Sequence, residues 1–301
     1  MGTSTLFFDV AYQSYLPSLV EKEDVVEGNQ KLQTSASGAG VIGPTVASGL
    51  MQLVGAALSV VADSLGTLAS VFMLVAIRKP EPDPQPTSAD GQRHFFAEMK
   101  EGIRVITGNG LLWTQAGCTG TSNLGTSMFS VAFLLYAYRT LGVSKGVLGI
   151  AFSLGAVGFL IGVLVSSAVT RRAGFGRSVA LAIAGNFGLL IVLLARGEFA
   201  VLVLGTAYFV GGIGLPIYNI NQVSLRQIIT PNRLQGRMNA TMRTLVWGTI
   251  PAGSFLGGIF CTSIGITPTI ILGSLIGGGS MLWIIRGPTI KLKKQPEPSG
   301  E

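Results

Sequence analysis

Long uncharged apolar runs alternate with short basic loops along almost the whole chain. Between Lys31 and Arg78 the only charge is Asp63, and residues 111–138, 146–170, 178–195, 200–225 and 244–285 carry none. A helix that crosses a bilayer needs about 20 mostly apolar residues. The pattern therefore predicts two crossings within 32–77, turning near LVGAAL (53–58). It predicts one crossing in each of the next four runs, and two in 244–285 with a turn at SIGITP (263–268). The opening segment, 1–20, makes a ninth, just long enough at about 1.5 Å per residue and carrying Asp9 and Gln13.

Sorting the loops by parity gives an orientation. All but three of the 21 lysines and arginines fall in the odd-numbered connections and the tail, the exceptions being Arg139, Lys145 and Arg196. By the positive-inside rule the odd loops and C-terminus are cytoplasmic and the first residue of the chain is external. Trp113, Trp247 and Trp283 then sit near cytoplasmic helix ends, where interfacial aromatics belong.

Composition agrees. The chain has 301 residues, 48% of them hydrophobic and only 12% charged, about half the charge of a soluble domain. Its 42 glycines suit helices that pack closely in lipid. The net charge of +7 lies in loops, not on one face, which disfavours nucleic acid as a partner. Two cysteines (Cys118, Cys261) and one histidine (His94) make neither a disulfide framework nor a metal site. The sequence carries no P-loop, nucleophile elbow or cofactor motif, which argues against an enzyme or an ATP-driven pump and gives no cofactor to expect. Nothing calls for an obligate protein partner.

The polar linker 78–110 begins with the proline-rich RKPEPDPQPTSADGQ, an extended spacer. It continues as FFAEMKEGIRVI, in which Phe95, Phe96, Met99, Ile103 and Ile106 recur at helical spacing. This predicts an amphipathic helix on the inner membrane surface. The chain thus divides into a transmembrane unit (1–77), the linker (78–110), a six-helix transmembrane unit (111–286) and a cytoplasmic tail (287–301).

An offset of 209 residues aligns Gln13 with Gln222, Leu16 with Leu225, Val20 with Ile229 and Val25 with Leu234. The helices that follow both carry proline among small residues, GVIGPTVASG and GTIPAGSFLGG. Six crossings separate the equivalents, which is the period of transporters built from two parallel six-helix halves.

The segments FFDVAYQSYLPSLV, GVIGP, SLRQIITPNRLQGRMNATMRTL and PAGSFLGG resemble the major facilitator superfamily, in particular its enterobactin-exporter and macrolide-efflux branch. The most specific element is R-Q-x-x-x-P-x-x-x-x-G-R, at Arg226, Gln227, Pro231, Gly236 and Arg237. The resemblance implies an all-α polytopic fold of twelve crossings, of which this chain would supply the last nine. It would then have an incomplete first half lacking about three helices, through gene truncation or a misplaced start codon, and a complete second half.

The resemblance also assigns roles. The seventh and tenth helices of the family line the transport cavity. Here they bring a polar stripe, Gln115, Thr119, Asn123 and Ser127 at every fourth position, together with Tyr208, Tyr218, Asn219 and Gln222. The fourth adds Tyr12 and Gln13. The same stripe would serve equally to bond neighbouring helices. Asp9 and Asp63 are the candidates for proton coupling, since a carboxylate at membrane depth costs about 2.5–3.5 kcal/mol and seeks a cavity or a partner.

Arg171 and Arg172, in a loop similar to the family's gating loop but without its aspartate, join Arg226, Arg237 and Arg243 as cytoplasmic gate candidates. The last three would pair with Glu21, Glu23, Asp24 or Glu27 of the repeat-related loop. Gly43 and Pro44 resemble a degenerate antiporter signature, and with Pro251, Gly257 and Gly258 are expected to pack helices closely. The implied function is proton-coupled efflux of an amphipathic small molecule (a drug, macrolide or siderophore) by alternating access. The alternative is a transport-incompetent fragment that serves at most as a membrane-embedded partner.

Overall fold

The structure, a computed structural model, describes residues 95–293 throughout, and before them 15–16, 20–21, 24–36, 38–39, 61 and 64–73. All regular structure among these residues is helical. Helix α1 (25–36) and α2 (Ser64–Met73) precede the linker helix α3 (Phe95–Gly108). Then follow α4 (Gly110–Leu135), α5 (Lys145–Ala173), α6 (Phe175–Ala184), α7 (Ala200–Ile229), α8 (Asn232–Trp247), α9 (Thr249–Ser263), α10 (Ile266–Gly279) and α11 (Met281–Arg286). The 3₁₀ stretch Gly185–Leu194 prolongs α6, and α8–α9 and α10–α11 each form one nearly continuous rod. Of the nine expected crossings, those in 1–77 lie mainly outside the described residues. The six from residue 111 onward have helices in their places.

Local chemistry marks the boundaries. Asn109 caps α4, its side-chain oxygen accepting from the backbone N–H of Leu111 and Leu112 (3.0 and 3.4 Å). Ser144 caps α5 through the N–H of Val147 (3.4 Å). The hairpin turns α5–α6 and α9–α10 pivot on Gly174 (φ 82°) and Gly265 (φ 98°), left-handed conformations that residues with a Cβ avoid. The second lies inside the expected turn at 263–268.

Among the described residues, five helical segments are long and apolar enough to cross a membrane: Val147–Ala173, Phe175–Leu194, Ala200–Ile229, Leu234–Ser263 and Ile266–Arg286. Helix α4 is absent from that set although its 26 residues span about 39 Å. Its polar stripe lowers its mean hydropathy, and its neighbours α8, α9, α10 and α11 cover it. Large apolar side chains point outward on the other rods, among them Leu164, Leu181, Leu202, Leu215 and Phe255. That inside-out arrangement suits lipid as the surrounding solvent.

Backbones meet where side chains are smallest. A Cβ on Gly125 of α4 would lie 2.6 Å from the carbonyl oxygen of Gly273 on α10, and one on Gly273 would lie 2.8 Å from the backbone nitrogen of Phe129. On α9, Gly257 faces the backbone of Met128 at 3.0 Å, and Gly253 abuts the carbonyl of Leu124. These are small-xxx-small seams, the usual means of close approach in lipid. The expected packing glycine Gly257 is therefore placed at a contact, whereas a Cβ on Gly258 would meet nothing within 4 Å. Pro251 is exposed in the first turn of α9, so among the described residues neither it nor Gly258 is placed at a close helix contact.

The linker helix differs from expectation in what covers it. Ile106 is fully buried in a cluster with Leu112, Ala116, Met238, Met242 and Val246, so α3 docks on α8 and α4. A surface helix held by lipid alone would leave that face to the membrane. The side chains of Phe95, Phe96 and Met99 lie outside the described residues.

Replacing Gly253 by Leu forces its side chain into the Leu124 carbonyl and should cost about 1–3 kcal/mol through overpacking. Gly258→Ala, which enters open space, should leave stability unchanged. Thermal unfolding of the two purified variants in one detergent checks this contrast.

Candidate functional site

Two polar regions stand out in this apolar bundle. The first is the stripe on α4. Gln115 is 1% exposed, and neither atom of its amide has a hydrogen-bond partner among the described residues. One turn on, the Thr119 hydroxyl donates to the Gln115 carbonyl (2.8 Å) and meets the Tyr218 hydroxyl of α7. Cys118, beside them, lies 4.0 Å from the Ser280 hydroxyl. Asn123 donates to the carbonyl of Val246 (3.1 Å), just before the α8–α9 junction, and so fixes that junction to α4. Ser127 is half-buried. The stripe is thus divided: Thr119 and Asn123 bond neighbouring helices, and Gln115 keeps an unmatched buried amide.

The α7 candidates separate in the same way. Tyr218 joins the polar node, Gln222 is buried and Asn219 is half-buried. Tyr208 is an aromatic packing residue, its ring 5.2 Å from Phe133 and 5.0 Å from Phe152. Tyr12 and Gln13, with the proton-coupling candidates Asp9 and Asp63 and the packing pair Gly43 and Pro44, lie outside the described residues.

The second region is the end of the bundle that carries the basic loops. Here α1 crosses to α5 and α7. Asn29 donates to Ser224 Oγ (3.2 Å) and to Gln227 Oε1 (2.5 Å), and Gln30 donates to the Val163 carbonyl (3.3 Å). Gln235 donates to the Gln227 carbonyl (3.0 Å), folding the α7–α8 loop back on itself. Between α5 and α7, Asn221 donates to Thr170 Oγ1 (3.0 Å). Joining the α1 segment to the larger group is therefore an amide and hydroxyl cluster.

The arginine gate candidates stand in several different surroundings among the described residues. Arg237 pairs with Glu101 of α3, an acid in the linker. Arg243 stacks on Trp247, 3.9 Å from the ring centroid. Arg226 is buried at 8% exposure near the end of α7, while Arg171 and Arg172 are exposed at the end of α5. Glu27 pairs with Lys31 (2.8 Å), which holds its carboxyl below the usual range and the lysine above its own. Both are exposed, so the pair adds little to stability.

Sequence reasoning missed Asn29 and Ser224, which stand in unremarkable surroundings (EGNQK and QVSLR). Gln227 was marked as part of the loop pattern, and its contacts now give that pattern a physical use: the loop is a hydrogen-bonded clasp.

A bundle of long apolar rods, joined at glycine seams and carrying polar groups inside and basic loops at one end, is the architecture of a polytopic membrane transporter. A family model described as the Major Facilitator Superfamily matches residues 1–246. The chain belongs to that superfamily. No match to a curated protein was found. Among solved structures, the crystal structure of a bacterial homologue of the iron transporter ferroportin in outward-facing state superposes with a TM-score of 0.73. It is 18% identical, and the match covers 93% of this chain and 68% of that one. At this identity the likeness bears on the fold alone.

Cysteines at positions 29 and 224, in a variant whose Cys118 and Cys261 are replaced, should be joined efficiently by a short thiol cross-linker. A pair at 29 and 202, whose leucine lies near the other end of α7, should not. Gel mobility after cross-linking reads the difference.

Proposed function

We propose that this chain moves an amphipathic small molecule out of the cell across the inner membrane, by alternating access coupled to proton antiport. The observation that carries this reading is the unmatched, fully buried Gln115 amide, one turn from the Thr119–Tyr218 hydroxyl pair. Leaving a buried polar group unpaired costs about 1–3 kcal/mol. A site that recruits a cargo in one stage of its cycle gives such a group its use. Amides, hydroxyls and aromatics without a fixed charge suit a drug, macrolide or siderophore-like cargo better than a sugar phosphate or a simple ion.

At the basic end, taken as cytoplasmic from the loop charges, the Asn29–Ser224–Gln227 cluster would seal the path while the opposite end is open. Neutral hydrogen bonds between helices are worth about 0.6 kcal/mol each. A seal made of a few of them opens at modest cost when cargo binds, as alternating access requires. Arg226, Arg237 and Arg243 anchor this end. Asp9 and Asp63 remain the proton carriers in this reading. The superfamily membership supports transport as such, while the direction, the cargo and the proton are our own inference.

Two measurements test the proposal. Cells carrying the gene should accumulate less of a cationic dye or a macrolide than cells without it, and an uncoupler should abolish the difference. Export that persists with the uncoupler, or no gene-dependent difference for dye, macrolide or siderophore, overturns it. Within the protein, Gln115→Leu should leave unfolding temperature equal or higher, since it removes an unpaired amide, yet lower export about tenfold, the worth of one hydrogen bond to cargo. A parallel loss of stability would make Gln115 a structural residue.

A further inference from the structure

A cleft of about 740 Å³ opens at the basic end, between α1, the end of α5 and the start of the tail. It lies apart from the α4 seam, beside the Asn29–Ser224–Gln227 cluster, none of whose residues line it. Its walls carry Asp24, Glu27, Gln30 and Lys31 from the α1 segment, Ser167, Thr170 and Arg171 from α5, and Lys293 from the tail. Lys31 is engaged by Glu27, with Asp24 close enough to act on it electrostatically. Arg171 and Lys293, by contrast, have no ion-pair partner among the described residues, and both are exposed.

The position of Lys293 is built. Helix α6 has no side-chain cap, and its first free N–H groups are taken by the tail. Phe175 N–H donates to the Lys293 carbonyl (3.3 Å) and Gly176 N–H to the Leu292 carbonyl (3.0 Å). The tail lies so close that a Cβ on Gly176 would sit 2.6 Å from the Ile290 Cα. Ile290 and Leu292 pack against the buried cluster of Phe175, Val179 and Ile284. A main-chain clip and an apolar anchor thus hold a lysine on the rim of the polar cleft that Arg171 also lines, at the ends of α5 and α6.

The structure assigns this cleft to an anionic phospholipid of the leaflet at the basic end, its phosphate bound between Arg171 and Lys293 and its polar headgroup among Gln30, Ser167 and Thr170. Two cations facing one opening, with hydroxyls and an amide behind them, match a phosphodiester with a hydroxylated headgroup such as glycerol. Basic pockets between transmembrane helices on the cytoplasmic side commonly take anionic headgroups. The lipid would bridge α1 to α5 at the junction that Asn29 closes.

The test uses the full purified chain in neutral detergent, titrated with phosphatidylglycerol or phosphatidylcholine, with bound lipid counted by native mass spectrometry and unfolding temperature read in parallel. Phosphatidylglycerol should bind and raise the unfolding temperature, and phosphatidylcholine should do neither. The double variant Arg171→Gln, Lys293→Gln should bind phosphatidylglycerol about 30-fold more weakly. Gly176→Val, which displaces the tail while keeping both cations, should weaken it as well. Equal binding of the two lipids overturns the assignment, and so does an equal loss from Arg104→Gln, an exposed cation on α3 outside the cleft. A response to soluble glycerol 1-phosphate as strong as that to the lipid would also overturn it, by making the site one for free phosphate esters.

Discussion

In lipid, no water relieves an unpaired backbone group, so every crossing must close its own hydrogen bonds and then find a neighbour with almost no hydrophobic gain from doing so. Contact between rods must come from dispersion at short range, and short range requires residues without side chains. The seams of Gly253 and Gly257 on α9 and Gly273 on α10 against Leu124, Gly125 and Met128 on α4 meet this requirement. Those seams hold α9 and α10 tightly against α4 and help keep its polar stripe away from lipid. The location of the polar node therefore follows from where the glycines lie.

Much of this was legible beforehand. The uncharged runs located the six helices from residue 111 onward because a long apolar run has few alternatives to a crossing. SIGITP was readable as a turn, and Gly265 supplies its left-handed residue. The superfamily was readable from the R-Q-x-x-x-P-x-x-x-x-G-R loop, and the match over residues 1–246 agrees with it. The branch within the superfamily is a finer matter on which the fold is silent.

The partners of individual side chains were not legible, for a reason particular to membrane proteins. Periodicity tells that Gln115, Thr119 and Asn123 share a face, but not which helix stands opposite, since every neighbour is equally apolar. Asn123 meets a main-chain carbonyl near Val246, a partner with no sequence signature. Glu101 reaches Arg237 because α3 is brought there by the burial of Ile106 against Met238 and Met242, a contact with no sequence signature. Tyr208 has the composition of a binding residue and the surroundings of a packing one.

The docking of α3 on α8 also bears on how far the two transmembrane units can travel from each other. Its 14 residues would reach roughly 50 Å if extended, but as a helix they cover about 21 Å and are fastened at Ile106 and Glu101. The docked helix therefore gives the connection less reach than its count of residues would allow. In any relative movement of the helices, α3 travels with α8 and α4 as part of one body.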